Sequence, residues 1–232
     1  MPLNMTKRIN GMLIAIDGTA GTGKSSVGKA VAAKLGYGFL STGEMYRALA
    51  YKVFEKQIDP ENHDEVLAAA RALRFTFALQ PDASLKMFVD GDFLGSKLHL
   101  EEVGNVASRV STNGEARRVL TEKMREVGED GGIVMEGRDV GTVVFPDADI
   151  KFYLDASAEE RAKRRVKQLQ EAGEQPDYAQ ILKLIQERDY RDSHRAVSPL
   201  KPAEDAIIVD TSSLDMQQVI DVVLEKLQHH AS

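Results

Sequence analysis

Gly18-Thr19-Ala20-Gly21-Thr22-Gly23-Lys24-Ser25 decides how this chain is read, because the apolar run Met12-Leu13-Ile14-Ala15-Ile16 precedes it and the helical stretch Val27 to Leu35 follows. Strand, glycine-rich turn and helix in that order make a phosphate loop. Its glycines let successive backbone N–H groups converge on an anion, and the helix N-terminus adds unpaired donors and the positive end of its dipole. Lys24 is expected to reach the β- and γ-phosphates of a nucleotide, and the Ser25 hydroxyl, with Ser26 beside it, to join the shell of a Mg2+ ion. The bland alternative, a glycine-rich turn without a ligand, leaves Lys24 and a nest of donors with nothing to bind.

Composition narrows the field. The 232 residues are 43% hydrophobic, enough for one α/β domain with inserts or two small domains. Apolar runs reach about five residues, far short of the ~20 of a membrane-spanning helix, and the N-terminus has no apolar signal core. Cysteine is absent, which suits a cytoplasmic protein and rules out thiolate metal sites. A net charge of −6 argues against nucleic acid held by bulk electrostatics. The expectation is a cytoplasmic monomer acting on small molecules, with no nucleic-acid or membrane partner.

Five short apolar segments read as buried strands: Leu13 to Asp17, Tyr37 to Ser41, Ile133 to Glu136, Ile150 to Leu154 and Ala206 to Asp210. Helical patterns separate them, the signature of a parallel sheet flanked by helices, in which ligands sit at the carboxyl ends of the strands. Between residues 62 and 117 the pattern changes. Phe75, Phe77 and Leu79 alternate, as do Leu85, Met87 and Val89. With Pro81 to Ser84 as one turn and Asp90-Gly91 as a hairpin signal, this reads as a small antiparallel insert. The core then comprises residues 10–61 and 118–228, including a helical arm or lid at about 157–197.

Charged residues gather at the strand ends. Ser41-Thr42-Gly43-Glu44-Met45-Tyr46-Arg47 follows the second strand and turns Arg47 toward the phosphate loop; Thr42 is either a ligand contact or the N-cap of the next helix. Glu136-Gly137-Arg138-Asp139 ends the third strand. Glu136 could orient Mg2+-bound water, Arg138 clamp a phosphate and Asp139 accept from an amino group; the alternative is an internal ion-pair network that fastens the loop. Arg161 and Arg165 in the arm are either triphosphate contacts or part of a solvated helix face. Arg188, Asp192 and Arg195 stand at i, i+4 and i+7, on one face of one helix anchored upstream by Ile181, Leu182, Leu184 and Ile185. One phosphate chain does not need so many arginines. Arg47, Arg138 and Arg188 from separate elements suggest a second phosphorylated ligand opposite the first, whose own dianionic phosphate dispenses with a catalytic base.

The phosphate loop, residues 41–47, and especially Glu136-Gly-Arg-Asp-Val-Gly-Thr-Val-Val-Phe-Pro-Asp147 with Arg188-Asp-Tyr-Arg-Asp-Ser-His-Arg195 resemble the bacterial cytidylate kinases, nucleoside monophosphate kinases with a P-loop core. The resemblance runs from about Asn10 to Gln228. It implies transfer of the ATP γ-phosphoryl group to CMP or dCMP with Mg2+, Gly18 to Ser26 holding ATP. Thr42 and Arg47 would contact the monophosphate, and Ser108, Arg117 and Asp139 the cytosine. Arg138 and Arg188 would hold the CMP phosphate, Asp192 the sugar, and Arg195 the transferred group. The rival readings are a kinase of the same architecture for UMP, AMP or shikimate, and a nucleotide-binding module without transfer.

Overall fold

The computed structural model describes residues 8–80 and 85–230. In chain order the strands are β1 (Leu13–Gly18), β2 (Gly38–Ser41), β3 (Phe75–Leu79), β4 (Leu85–Val89), β5 (Ile133–Glu136), β6 (Ile150–Asp155) and β7 (Ile207–Asp210). Five of them form a parallel sheet in the order β2-β5-β1-β6-β7. These are the five expected strands, with ends shifted by a residue.

Burial on both faces explains the uninterrupted apolar sequence of β1. Leu13 and Ala15 point into one hydrophobic cluster, Ile14 and Ile16 into the other. Helices α1 (Lys24–Leu35) and α8 (Met216–His230) cover the second cluster. The first is covered by α2 (Thr42–Glu55), α3 (His63–Ala72), α4 (Glu101–Val110) and α5 (Gly114–Gly128). Met87, Leu98 and Val103 of the inserted segment belong to that same cluster, so the insert shares the core's apolar interior.

The antiparallel pair β3–β4 is present as expected. The turn expected over 81–84 lies outside the described residues. Asp90 and Gly91 make a tight turn with φ of 55° and 91°, after which Val89 and Asp92 exchange backbone bonds of 2.8 and 3.0 Å. The chain then enters a 3-10 turn at Gly95–His99 in place of a further strand.

The arm consists of α6 (Ala158–Glu171) and α7 (Tyr178–His194). Two expectations about it need correction. Leu184 is exposed and no residue of α7 is fully buried, so the upstream anchor is the half-buried Ile181, Leu182 and Ile185 alone. Arg195 is also off the helix, its backbone extended at φ −64° and ψ 143°. Bonds from the segment that follows close α7 there: the Leu200 amide donates to the Asp192 carbonyl at 2.8 Å, and Arg195 Nε donates to the Ser198 carbonyl. Among the described residues no helix is long and apolar enough to cross a membrane.

Candidate active site

β1 delivers the chain to the phosphate loop at Gly18, where a side chain is impossible: φ is 145° and a Cβ would stand 2.0 Å from the Leu154 carbonyl oxygen of β6. The loop closes at Gly23, in the left-handed region, and α1 starts at Lys24. The first-turn amides of α1 therefore face the loop as anion donors. Lys24 is buried inside this ring, donating to the Thr19 carbonyl at 2.5 Å; Thr22 Oγ1 donates to the same oxygen at 3.0 Å. Burial, then the positive charge of Arg138, lowers the Lys24 pKa to about 7, against the opposing pull of Glu136 and Asp17. Thr19 Oγ1 is buried without a hydrogen-bond partner in the same loop.

Sheet register sets the next layer. β2 and β5 pair Ser41 with Glu136 at their carboxyl ends. Glu136 Oε1 accepts from both the Ser41 hydroxyl and, at 3.1 Å, the Ser25 hydroxyl. Ser25 and Ser26 are both exposed, and Ser25 is the one whose hydroxyl is joined to this acid. The arrangement fits a hard cation: one hydroxyl and one carboxylate, next to where phosphates dock, supply the oxygen donors Mg2+ takes when its remaining ligands are phosphate and water. Thr42 is the first residue of α2, and its buried hydroxyl donates to the Glu136 carbonyl at 3.0 Å; the N-cap is Ser41, which corrects the capping alternative for Thr42.

Two acids collect the arginines. Asp192 receives Arg138 at 3.0 Å and Arg188 at 4.0 Å. Asp139, buried, receives Arg117 at 2.6 Å and Arg195 at 3.7 Å. Arg117 also lies over the Tyr46 ring, 5.0 Å from its centroid. Arg117 Nε and Arg195 Nη2 are buried with no hydrogen-bond partner, two donors left open beside Asp139. Thus α5, the segment after β5, α7 and the residue after α7 converge, although Arg195 does not share the helix face expected of it.

The remaining expected residues lie outside this knot. Arg47 donates to the Leu98 carbonyl at 2.9 Å, tying α2 to the 3-10 turn. Ser108 is exposed on α4, its carbonyl taking the Ser111 hydroxyl at 2.9 Å. Arg161 is buried: it meets the Asp189 carboxylate at 3.1 and 2.5 Å and the carbonyls of Ala20 and Ala156 at 3.1 and 3.0 Å. It braces the arm against the phosphate loop, which removes the solvated-face alternative for it. Arg165 is exposed beside Gln168.

Sequence reasoning passed over Asp17, Ser41, Tyr46 and Asp189. Asp17 carried a weak signal: it is an acid at the end of an apolar strand, without the further charges that made Glu136 stand out. Asp189, one of several charges on an exposed helix, carried none.

A phosphate loop at the carboxyl edge of a parallel sheet, with arginines facing it from a helical arm, defines a P-loop phosphotransferase, a kinase. The family model for cytidylate kinase matches residues 14–229. The chain is similar to a cytidylate kinase of Pasteurella multocida (strain Pm70), at 41% identity over 95% of this chain and 97% of that protein. It is similar also to those of Desulfitobacterium hafniense (strain Y51), at 43% over 91% and 90%, and Streptococcus thermophilus (strain ATCC BAA-491 / LMD-9), at 42% over 92% and 94%. The chain belongs to the cytidylate kinase family.

Proposed function

We propose that ATP lies on the phosphate loop, that CMP or dCMP lies against Asp139 and Asp192, and that these residues carry the γ-phosphoryl group from one to the other. Membership of the family makes the protein a kinase of CMP and dCMP. The observation that supports the assignment of roles is the convergence of Arg117, Arg138, Arg188 and Arg195 on two carboxylates, with two buried guanidinium donors still open.

An oxygen of the CMP phosphate attacks the γ-phosphorus while the bond to the β–γ bridging oxygen breaks, giving CDP and ADP. The acceptor is already an anion, so no general base is required. Lys24 neutralises the β- and γ-phosphates, Arg138 and Arg188 the acceptor phosphate, and Arg195 the group in flight; this is catalysis by position and charge. Thr42 and Arg47 place the monophosphate. Asp139 accepts from the cytosine amino group, Arg117 donates to the ring, Ser108 supplements them from α4, and Asp192 takes the sugar hydroxyl. Arg161 and Arg165 serve the ATP side of the arm. Ser25 and Glu136 would hold Mg2+, which supplies charge neutralisation between the phosphates.

The test is ADP release, by a coupled assay, over CMP, dCMP, UMP, AMP and GMP. CMP and dCMP are expected to exceed the others by tenfold or more, since uracil sets its O4 acceptor against the Asp139 carboxylate at a cost of about 1–3 kcal/mol. Equal turnover of CMP and UMP would remove Asp139 from the base pocket.

A further inference from the structure

We propose that Asp17, which none of the chemistry above uses, is a positioning residue for acceptor recognition, its carboxylate fixing the segment that carries Arg138 and Asp139. Asp17 is the next-to-last residue of β1 and is buried. Its two oxygens divide their work: Oδ1 accepts the Val140 amide at 2.8 Å and Oδ2 the Gly141 amide at 2.7 Å. Upstream, the Gly137 amide donates to the Ile16 carbonyl at 3.0 Å. The end of β1 thus grips the segment on both sides of Arg138 and Asp139. Between the grips those two side chains point to Asp192 and to Arg117.

The fit around the carboxylate is close. A Cβ on Gly141 would lie 3.4 Å from Asp17 Oδ2 and 3.1 Å from Lys151 Cδ. Two amides aimed at two oxygens favour the ionised acid, because protonation leaves one oxygen a weaker acceptor and adds a donor in a donor-lined pocket. Burial, the largest influence, raises the Asp17 pKa to about 6, with Asp139 adding to the rise and the two amides and Lys24 opposing it. Tyr153, opposite Asp17 on β6, faces it as well, and burial first and nearby acids next hold its proton to about 12. A backbone gripped in this way presents Arg138 and Asp139 without reorganisation when the acceptor arrives.

The inference rests on the reading of Arg138 and Asp139 as acceptor-side residues, and the experiment separates the two. In the full-length, ligand-free enzyme, Asp17→Asn keeps the shape but offers one acceptor and one amino group. The Val140 and Gly141 amide resonances are expected to move, the KM for CMP to rise about tenfold or more, and the KM for ATP to stay within about twofold. Unmoved amides would overturn the grip. Moved amides with an unchanged KM for CMP would overturn the positioning role of Asp17 alone, the acceptor-side reading standing or falling on the CMP-to-UMP ratio of Asp139→Asn. Equal losses for ATP and CMP would reduce Asp17 to a structural acid and so also overturn the proposal. Should the variant not fold, the wild type decides: without CMP, whose own phosphate titrates near pH 6, both amide resonances are expected to shift together between about pH 7 and 5 as Asp17 takes its proton. Resonances indifferent to pH over that range would refute the grip.

Discussion

The buried ammonium of Lys24 makes ATP binding a proton-uptake event, and the size of that event follows from the ring that encloses it. In the free enzyme burial and Arg138 hold the Lys24 pKa at about 7, down from 10.5. The folded chain therefore binds fewer protons than the unfolded chain between about pH 7 and 10.5. Its stability rises with pH across that window, and the penalty of confining the charge is complete below about pH 7. Phosphate oxygens reverse the balance by giving the ammonium a counter-charge where now it has the Thr19 carbonyl at 2.5 Å. At pH 8 only about a tenth of free Lys24 is charged and nearly all of it is charged in the complex, so about 0.9 proton is taken up per ATP, and affinity falls about tenfold for each pH unit above 7. Titration calorimetry at pH 8 in buffers of differing ionisation enthalpy measures the uptake directly. At that pH Asp17, at about 6, is already ionised and does not contribute. Lys24→Ala should abolish the uptake and lower turnover more than a hundredfold while leaving the circular dichroism spectrum intact. An uptake below about 0.3 proton, or an uptake that survives Lys24→Ala, would refute both the burial argument and the role of Lys24.

Two further outcomes are expected. Asp139→Asn should narrow the CMP-to-UMP ratio of kcat/KM about ten- to a hundredfold and lower the melting temperature, because the buried Arg117 loses its charge partner; steady-state kinetics and thermal unfolding check the two together, and an unchanged ratio would separate Asp139 from the base. Arg195→Ala should depress kcat by about a hundredfold with a smaller effect on the KM for ATP, while Arg191→Ala, exposed on α7, should change kcat by less than about twofold; similar losses in both variants would make Arg195 an ordinary surface charge.

What could be read in the sequence was set by local order. β1, the phosphate loop and α1 are consecutive, so apolar run, glycine spacing and helical stretch fall in one window. Likewise Glu136, Arg138 and Asp139 stand out because a buried strand seldom ends in three charges. What escaped depends on bonds that spacing along the chain does not show. The end of α7 is set by the Leu200 amide reaching back to Asp192, so the i, i+4, i+7 spacing of Arg188, Asp192 and Arg195 misplaces the last of them. Arg161 looks like any arm arginine until Asp189 and the Ala20 carbonyl enclose it. Thr42 looks like a cap because nothing near it in sequence shows that the Glu136 carbonyl is 3.0 Å from its hydroxyl.

The ion pairs of the free site also say how ligands enter it. A buried guanidinium with no anion is costly, and a carboxylate within reach relieves that cost until a better anion comes. Asp192 is the exchangeable partner of this kind for the mostly buried Arg138 at 3.0 Å; it is partly exposed, and the exposed Arg188 stands only at 4.0 Å from it. A dianionic acceptor phosphate carries more charge than one carboxylate and, if it lies where proposed, would take both guanidinium groups and release Asp192 for a neutral hydroxyl. Asp139 is built differently. It is buried with Arg117 at 2.6 Å and Arg195 Nη2 at 3.7 Å, and Arg117 Nε and Arg195 Nη2 have no hydrogen-bond acceptor. A ring that both donates and accepts can be added at Asp139 without breaking the Arg117 pair. On the proposed reading, phosphate binding would be an exchange of partners at Asp192 and base recognition an addition at Asp139, and a neutral cytidine lacking the phosphate should use the second without disturbing the first.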